Sequence, residues 1–320
     1  MRALAVLAAA AALVTAATVP YVRSRTDRTS PDGGHCLGWP AGTVEFRQNA
    51  AGAPDAGDAG FIAMDRALET WATAMSGCGN LTLRMGPRTA SRTTGFDDHA
   101  GASNENILLF RTRLCSDVVA PSDPCNGQGT CGNDHDCWEY NAGTLAITTT
   151  TYNVRTGKLY DADLEMNAST HILTTVDSPP CGSIGQTGCV STDVQNTVTH
   201  ELGHALGLDH SPDPASTMFA TEPLGETSKR SLDPASEQFV CDVYPRGLAS
   251  NDCLLADAGT NTGTGGGGSG QGGVPSGPRG PGIAQTTSGC AAAPGAASPV
   301  VLLAALGLVA LATRRLRMRR

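Results

Sequence analysis

The chain has 320 residues, of which 40% are hydrophobic, 16% charged and 4% aromatic, and its formal net charge is −8. Between residues 33 and 258, 28 Asp and Glu stand against 12 Lys and Arg, so the basic ends mask a strongly acidic body. That balance excludes a surface built to track nucleic-acid phosphates and leaves solubility or divalent cations as its use.

Residues 1–19 read as a secretory signal. Arg2 gives the positive start, residues 3–19 the apolar run, and Val14-Thr15-Ala16 or Thr15-Ala16-Ala17 a small-residue cleavage site, an uncleaved anchor being the other reading. Eleven cysteines in an exported chain predict disulfides. Ten lie in the body and Cys290 stands alone; local pairing expects Cys181 with Cys189, Cys241 with Cys253, and two bridges inside the loop 115–137.

A single domain is expected over 33–258, with no internal repeat. Val44 and Phe46 alternate with polar neighbours in a strand over 43–47. Phe61, Met64, Leu68, Trp71, Ala72 and Met75 recur at helical spacing over 59–75, with Gly77 as a stop, and Leu81, Leu83 and Met85 alternate as a second strand. Strand, helix, strand predicts a right-handed crossover in a parallel sheet. The apolar run 107–110 suits a third strand buried on both faces. In the cysteine-rich loop that follows, Asp134-His135-Asp136 reads either as a second metal site or as solvated charge on a disulfide-pinned surface loop.

Residues 145–152, rich in threonine, and 159–166, alternating cleanly, predict a hairpin through Arg155-Thr156-Gly157-Lys158. Its acidic side, Asp161, Asp163 and Glu165, is either a set of calcium ligands or the wet face of an antiparallel edge pair. Thr192-Asp193-Val194-Gln195 matches a capping box with Thr192 as N-cap, opening a helix whose stripe Val194, Val198, Leu202 and Ala205 or Leu206 packs on the core.

On the other side of that helix stand His200 and His204, one turn apart, able to aim two ring nitrogens at one point. Glu201 beside them is placed to act as general base on a water at that point. Gly207 lets the backbone leave the helix in a left-handed turn, and His210 returns as a third ligand. Three protein ligands leave the fourth position of a tetrahedral zinc open, the mark of a catalytic centre. Met218 follows in a turn-rich stretch, Asp233 and Pro234 open a last helix over 234–243, and residues 259–289 form a Gly/Ser/Pro-rich spacer. The apolar run 299–312, followed by five arginines, reads as a short membrane anchor with a cytoplasmic stop.

His-Glu-Leu-Gly-His-Ala-Leu-Gly-Leu-Asp-His-Ser at 200–211, with Met218 eight residues past the third histidine, resembles the zinc motif and Met-turn of the metzincin metallopeptidases, in their matrixin branch. The resemblance implies an α+β, zincin-like fold: a mixed, mostly parallel twisted sheet of about five strands, an active-site helix and two further helices. It implies one catalytic zinc on His200, His204 and His210, Glu201 as general base and proton donor, and Met218 as support. It further implies a substrate strand along residues 145–152, with residues 219–233 walling the pocket beyond the scissile bond; protein or peptide is the expected partner and a monomer the expected state. Calcium stays possible on the acidic residues. A catalytically inactive surface binding module on the same fold is the rival reading, and Glu201 argues against it. The latency cysteine that matrixins usually carry upstream has no matching motif; Cys36 beside His35 could serve or could pair as a disulfide. Residues 290–320 resemble the C-terminal sorting tails of myxobacterial surface proteins, in which the cysteine is a processing or lipidation point, a plain anchor being the alternative. A secreted enzyme tethered at a bacterial cell surface is the resulting expectation.

Overall fold

The structure is a computed structural model and describes residues 21–253, except 28 and 30–32, together with residues 282–293. The signal segment, most of the spacer and the apolar tail lie outside the described residues. The predicted crossover forms: β1 (Gly42–Gln48) and β2 (Leu81–Met85) run parallel, joined by α1 (Asp58–Cys78). The helix runs through Gly77 and ends where the Gly79 amide donates to the Met75 carbonyl. β3 (Asn106–Arg111) lies parallel to β1, and Ile107 to Phe110 are buried, as the continuous apolar run required.

Three short helices, α2 (Cys115–Val118), α3 (Cys125–Gln128) and α4 (Cys131–His135), follow inside the cysteine-rich loop. β4 (Ala146–Asn153) and β5 (Leu159–Asn167) form the predicted hairpin, turning through Gly157 at φ +67°, where any Cβ would run into the Cys36 carbonyl. β5 is parallel to β3, so it sits inside the sheet and not at its edge.

The wet-face reading of its acids is thereby corrected. Asp161, Asp163 and Glu165 are 1–2% exposed because the segment 94–95 and the cysteine-rich loop cover that face. The oxygens of Asp163 and Glu165 are already committed: Asp163 accepts from the Gly95 and Ile107 amides, and Glu165 from Thr94 and, at 2.9 Å, from the fully buried Arg111 guanidinium. Such internal pairing does not support a calcium site. Arg111 also reaches Asp136 at 2.9 Å, while His135 faces Asp123 at 3.1 Å. Asp123, Cys125 and His135 gather, but Cys125 is locked in a disulfide, so the metal reading of the 134–136 triplet fails and the pinned loop stands.

The short pair β6 (Leu173–Thr174) and β7 (Thr192–Asp193) leads into α5 (Val194–Ala205). β8 (Thr221–Glu222), the single-turn helix at Ser228–Arg230 and α6 (Pro234–Val243) complete the body. α1 and α5 lie over one sheet face around Phe46, Met64, Trp71, Leu164, Val198, Leu202 and Phe239; each such buried side chain contributes about 1.5–3 kcal/mol.

Disulfides Cys115–Cys137, Cys125–Cys131 and Cys181–Cys189 match the local expectation. Cys241 and Cys253 do not pair with each other. Cys241 on α6 meets Cys78 at the end of α1, and Cys253 meets Cys36, whose neighbour His35 is held by Asp252. These two bridges span 163 and 217 residues, separations that packing of the chain ends creates and local spacing cannot announce.

A last difference concerns the spacer. Residues expected to belong to it form β9 (Ile283–Ser288), which pairs antiparallel with β4 and makes a sixth strand in the order β2-β1-β3-β5-β4-β9. β10 (Ala291–Ala292) then runs parallel to β8.

Candidate active site

α5 carries the site, and its start is fixed by Asp193 rather than by Thr192. The Asp193 side chain accepts from the Asn196 amide at 2.8 Å and from two nitrogens of Arg230 at 2.8 and 2.5 Å. At the far end, the Trp39 indole donates to Ala205 O at 2.8 Å and the Tyr244 hydroxyl to Leu206 O at 2.5 Å. Gly207 then turns at φ +102° against the Leu37 carbonyl, as its place in the motif predicted. Apart from Gln195, every residue of the helix is buried, so it has a core face and a cleft face but no wet one.

The three predicted histidines come together. His204 Nε2 lies 3.1 Å from His200 Nε2 and 3.2 Å from His210 Nε2. A tetrahedral zinc with nitrogen ligands at about 2.0–2.1 Å requires similar spacings of about 3.3 Å between them. His200 Nδ1 faces Thr217 O at 2.7 Å and His204 Nδ1 faces Leu208 O at 2.9 Å. Each carbonyl accepts the Nδ1 proton, leaving the Nε2 lone pair toward the common point. Burial first, then the charges of His204, Lys229 and His210, holds His200 well below the usual histidine range. The Nε2 atoms of His200 and His204, converged with that of His210, fit a bound cation.

Met218, 2% exposed, lies beneath this centre: a Cβ on Gly203 would run into its sulfur and into the Trp71 indole. Glu201 is fully buried. Its Oε2 accepts from the Thr148 hydroxyl of β4 at 2.6 Å and its Oε1 from the Cys290 amide at 3.1 Å. Burial pushes the carboxyl up to about 7, opposed by the Thr148 and Cys290 hydrogen bonds. Thr148, Asp193, Arg230 and the placement of Cys290 are site features that sequence reasoning missed. The threonine run of β4 has no periodic signal singling out Thr148, and Asp193 stands one residue from the expected cap.

Two histidines and a carboxylate on a buried helix, joined by a third histidine beyond the Gly207 turn and set beside the antiparallel hairpin of a mostly parallel sheet, define a zinc-dependent peptidase. The matrixin family model matches residues 53–244, which contain the whole triad, and the chain belongs to that family of zinc metallopeptidases. No curated protein is matched by the chain.

Proposed function

We propose that the protein is an exported endopeptidase that hydrolyses internal peptide bonds of extended protein segments. The observation that carries this reading is the convergence of the three Nε2 atoms within 3.2 Å of His204 beside the Glu201 carboxylate. His200, His204 and His210 would hold zinc, which supplies Lewis acidity to a water and to the peptide carbonyl. Glu201 takes a proton from the attacking water and returns it to the leaving amine. The Thr148 hydroxyl, 2.6 Å from Oε2, aims the carboxylate. The edge of β4 away from β5, along which β9 is paired antiparallel, is the edge where an extended peptide would pair through its main chain, which gives affinity with little demand on sequence.

Surface tethering through residues 290–320 belongs to the same proposal and is supported by the apolar run and arginines at the C-terminus. Among the described residues no helix is long and apolar enough to cross a membrane; the run 299–312 lies outside them.

The test measures bound zinc and cleavage of casein and a mixed peptide library by the full chain and by Glu201→Gln. The parent is expected to bind one zinc and to cleave, the variant to bind zinc and lose cleavage, and His210→Ala to lose the zinc. Absence of cleavage by both the zinc-loaded parent and zinc-loaded Gly289→Leu, or a Gln variant that cuts as well as the parent, overturns the assignment.

A further inference from the structure

The cleft beside Glu201 is filled by the chain itself. From Gly282 to Ala293 the backbone is hydrogen-bonded along its whole length. Gly282 O accepts from the Val154 amide, β9 pairs with β4 from Ile283 opposite Asn153 to Ser288 opposite Thr148, and Cys290 O accepts from the Leu145 amide at 2.9 Å. The segment then passes between two walls. Ala291 N donates to Ala220 O, Ala292 N to Gly143 O and Ala293 N to Glu222 O, each at 3.0 Å. One wall continues β4 and the other is the stretch expected to line the pocket beyond the scissile bond.

The fit is also steric. A Cβ on Gly289 would run into the Ala146 carbonyl and the Ile147 side chain, so glycine alone is accommodated there. The next residue, Cys290, is 0% exposed and its amide nitrogen points at Glu201 Oε1. That nitrogen is the atom that a proton-donating carboxylate must reach when the Gly289–Cys290 bond breaks. The thiol does not compete as a metal ligand: Cys290 gathers with His200 and Glu201 but not with His204 and His210, whereas a fourth ligand would approach all three imidazoles.

We infer that residues 282–293 are the enzyme's own first substrate, docked in the cleft with Gly289–Cys290 as the scissile bond, so that the protein is blocked in cis until that bond is cut. The inference rests on the peptidase reading above. Water adds to the Gly289 carbonyl carbon, the bond to the Cys290 nitrogen breaks, and the proton taken by Glu201 passes to that nitrogen. The products are a Gly289 carboxylate and a free amine on Cys290. Covalent connection raises the segment's effective concentration over that of any free peptide, so it holds the cleft first. Cutting there separates the catalytic body from everything C-terminal to Gly289, the apolar run included. The same geometry names the substrate class: extended segments with glycine before the bond and a small residue after it.

Cys290 is the free thiol among the described residues and the other ten cysteines are paired, so thiol labelling reads this segment directly. In the metal-free full chain, maleimide should modify Cys290 at least about 100-fold more slowly than in urea, a measure of local opening. Gly289→Leu should remove most of that protection while the disulfides and fold persist. Zinc added to the parent should give a fragment with Cys290 at its N-terminus, at a rate independent of protein concentration, and Glu201→Gln should stay intact. Rapid labelling of the folded parent overturns the docking. A zinc-loaded chain that cuts the peptide library but leaves Gly289–Cys290 whole overturns the scissile assignment. Failure of the peptidase reading itself is separate: it shows as no zinc-dependent cleavage of any peptide even by Gly289→Leu, whose cleft is open.

Discussion

The Thr148 hydroxyl lies 2.6 Å from Glu201 Oε2 and ties the strand that pairs with peptide to the helix that carries the base. Thr148→Val keeps the shape of the side chain and removes the donor. Bound zinc is expected to stay at the parent level and kcat to fall roughly 10-fold or more, part of what a positioned base contributes. KM should move little, because β4 pairs through its main chain. Thr148→Ser should recover most of the rate. A Val variant with parental kcat would show that the carboxylate is oriented by other groups.

Asp193 serves two partners, capping α5 and neutralising Arg230, whose guanidinium also reaches Asp177 at 2.6 Å. Asp193→Ala leaves the Asn196 amide without its cap and Arg230 without its buried partner. Loss of a cap costs about 1 kcal/mol, and breaking a buried pair on one side about 3–5 kcal/mol. Arg230 retains a partly exposed side chain and a second carboxylate, so the expected total is near the lower end, about 3 kcal/mol. Asp193→Asn preserves the cap and should cost clearly less. Urea unfolding of the three proteins decides it, and equal midpoints for Ala and Asn would refute the ion pair's share.

Met218 and Gly203 are a matched pair: the glycine lets the methionine sulfur pack against the helix below the histidines. Gly203→Ala forces a displacement and is expected to cost about 1–3 kcal/mol, whereas Met218→Leu conserves volume and should cost less than about 1.5 kcal/mol. Zinc content should survive Met218→Leu, since the residue acts by shape. The double variant Gly203→Ala/Met218→Ala is expected to be less unstable than the sum of the single changes, because each makes room for the other. Strict additivity in calorimetry would argue against the contact.

The triad was legible in the sequence because its chemistry is local: i, i+4 spacing on one helix, a glycine turn and a third histidine a few residues on. The crossover of β1, α1 and β2 was legible for the same reason, through periodicity in Phe46, Met64 and Trp71. Alternation in β5 marked a strand correctly but misassigned its acidic face, since the covering groups, Thr94, Gly95 and Arg111, come from distant segments with no shared period. Gly282 to Gly289 was read as spacer, because glycine, serine and threonine signal no core, and Cys290 to Ala293 as the start of the C-terminal tail. The segment is held by main-chain pairing, which leaves almost no mark on composition, and its one informative side chain, Gly289, matters through what it lacks.

Asp161 and Asp163 lie side by side on β5, each about 1% exposed, and share a hydrogen bond. Burial pushes Asp161 up to about 7, and burial together with the neighbouring Asp161 charge raises Asp163. The Gly95 and Ile107 amides oppose this at Asp163, no cation is among the groups acting on either carboxyl, and Asp161 Oδ2 lacks a partner. The folded pair therefore keeps a proton that the unfolded chain releases near 3.8. Where the unfolded state binds fewer protons, stability falls as pH rises; the loss begins above about 4 and continues at least until Asp161 ionises at about 7. At about 1.4 kcal/mol per unit, the Asp161 shift taken alone corresponds to roughly 4 kcal/mol. Asp161→Asn removes one of the two charges, so its stability relative to the parent should improve steadily between pH 4.5 and pH 8. Urea unfolding of both proteins in EDTA at pH 4.5, 6 and 8 cancels the contribution of the histidines, which they share. A difference between the two that is the same at all three values would show that the pair does not hold a proton.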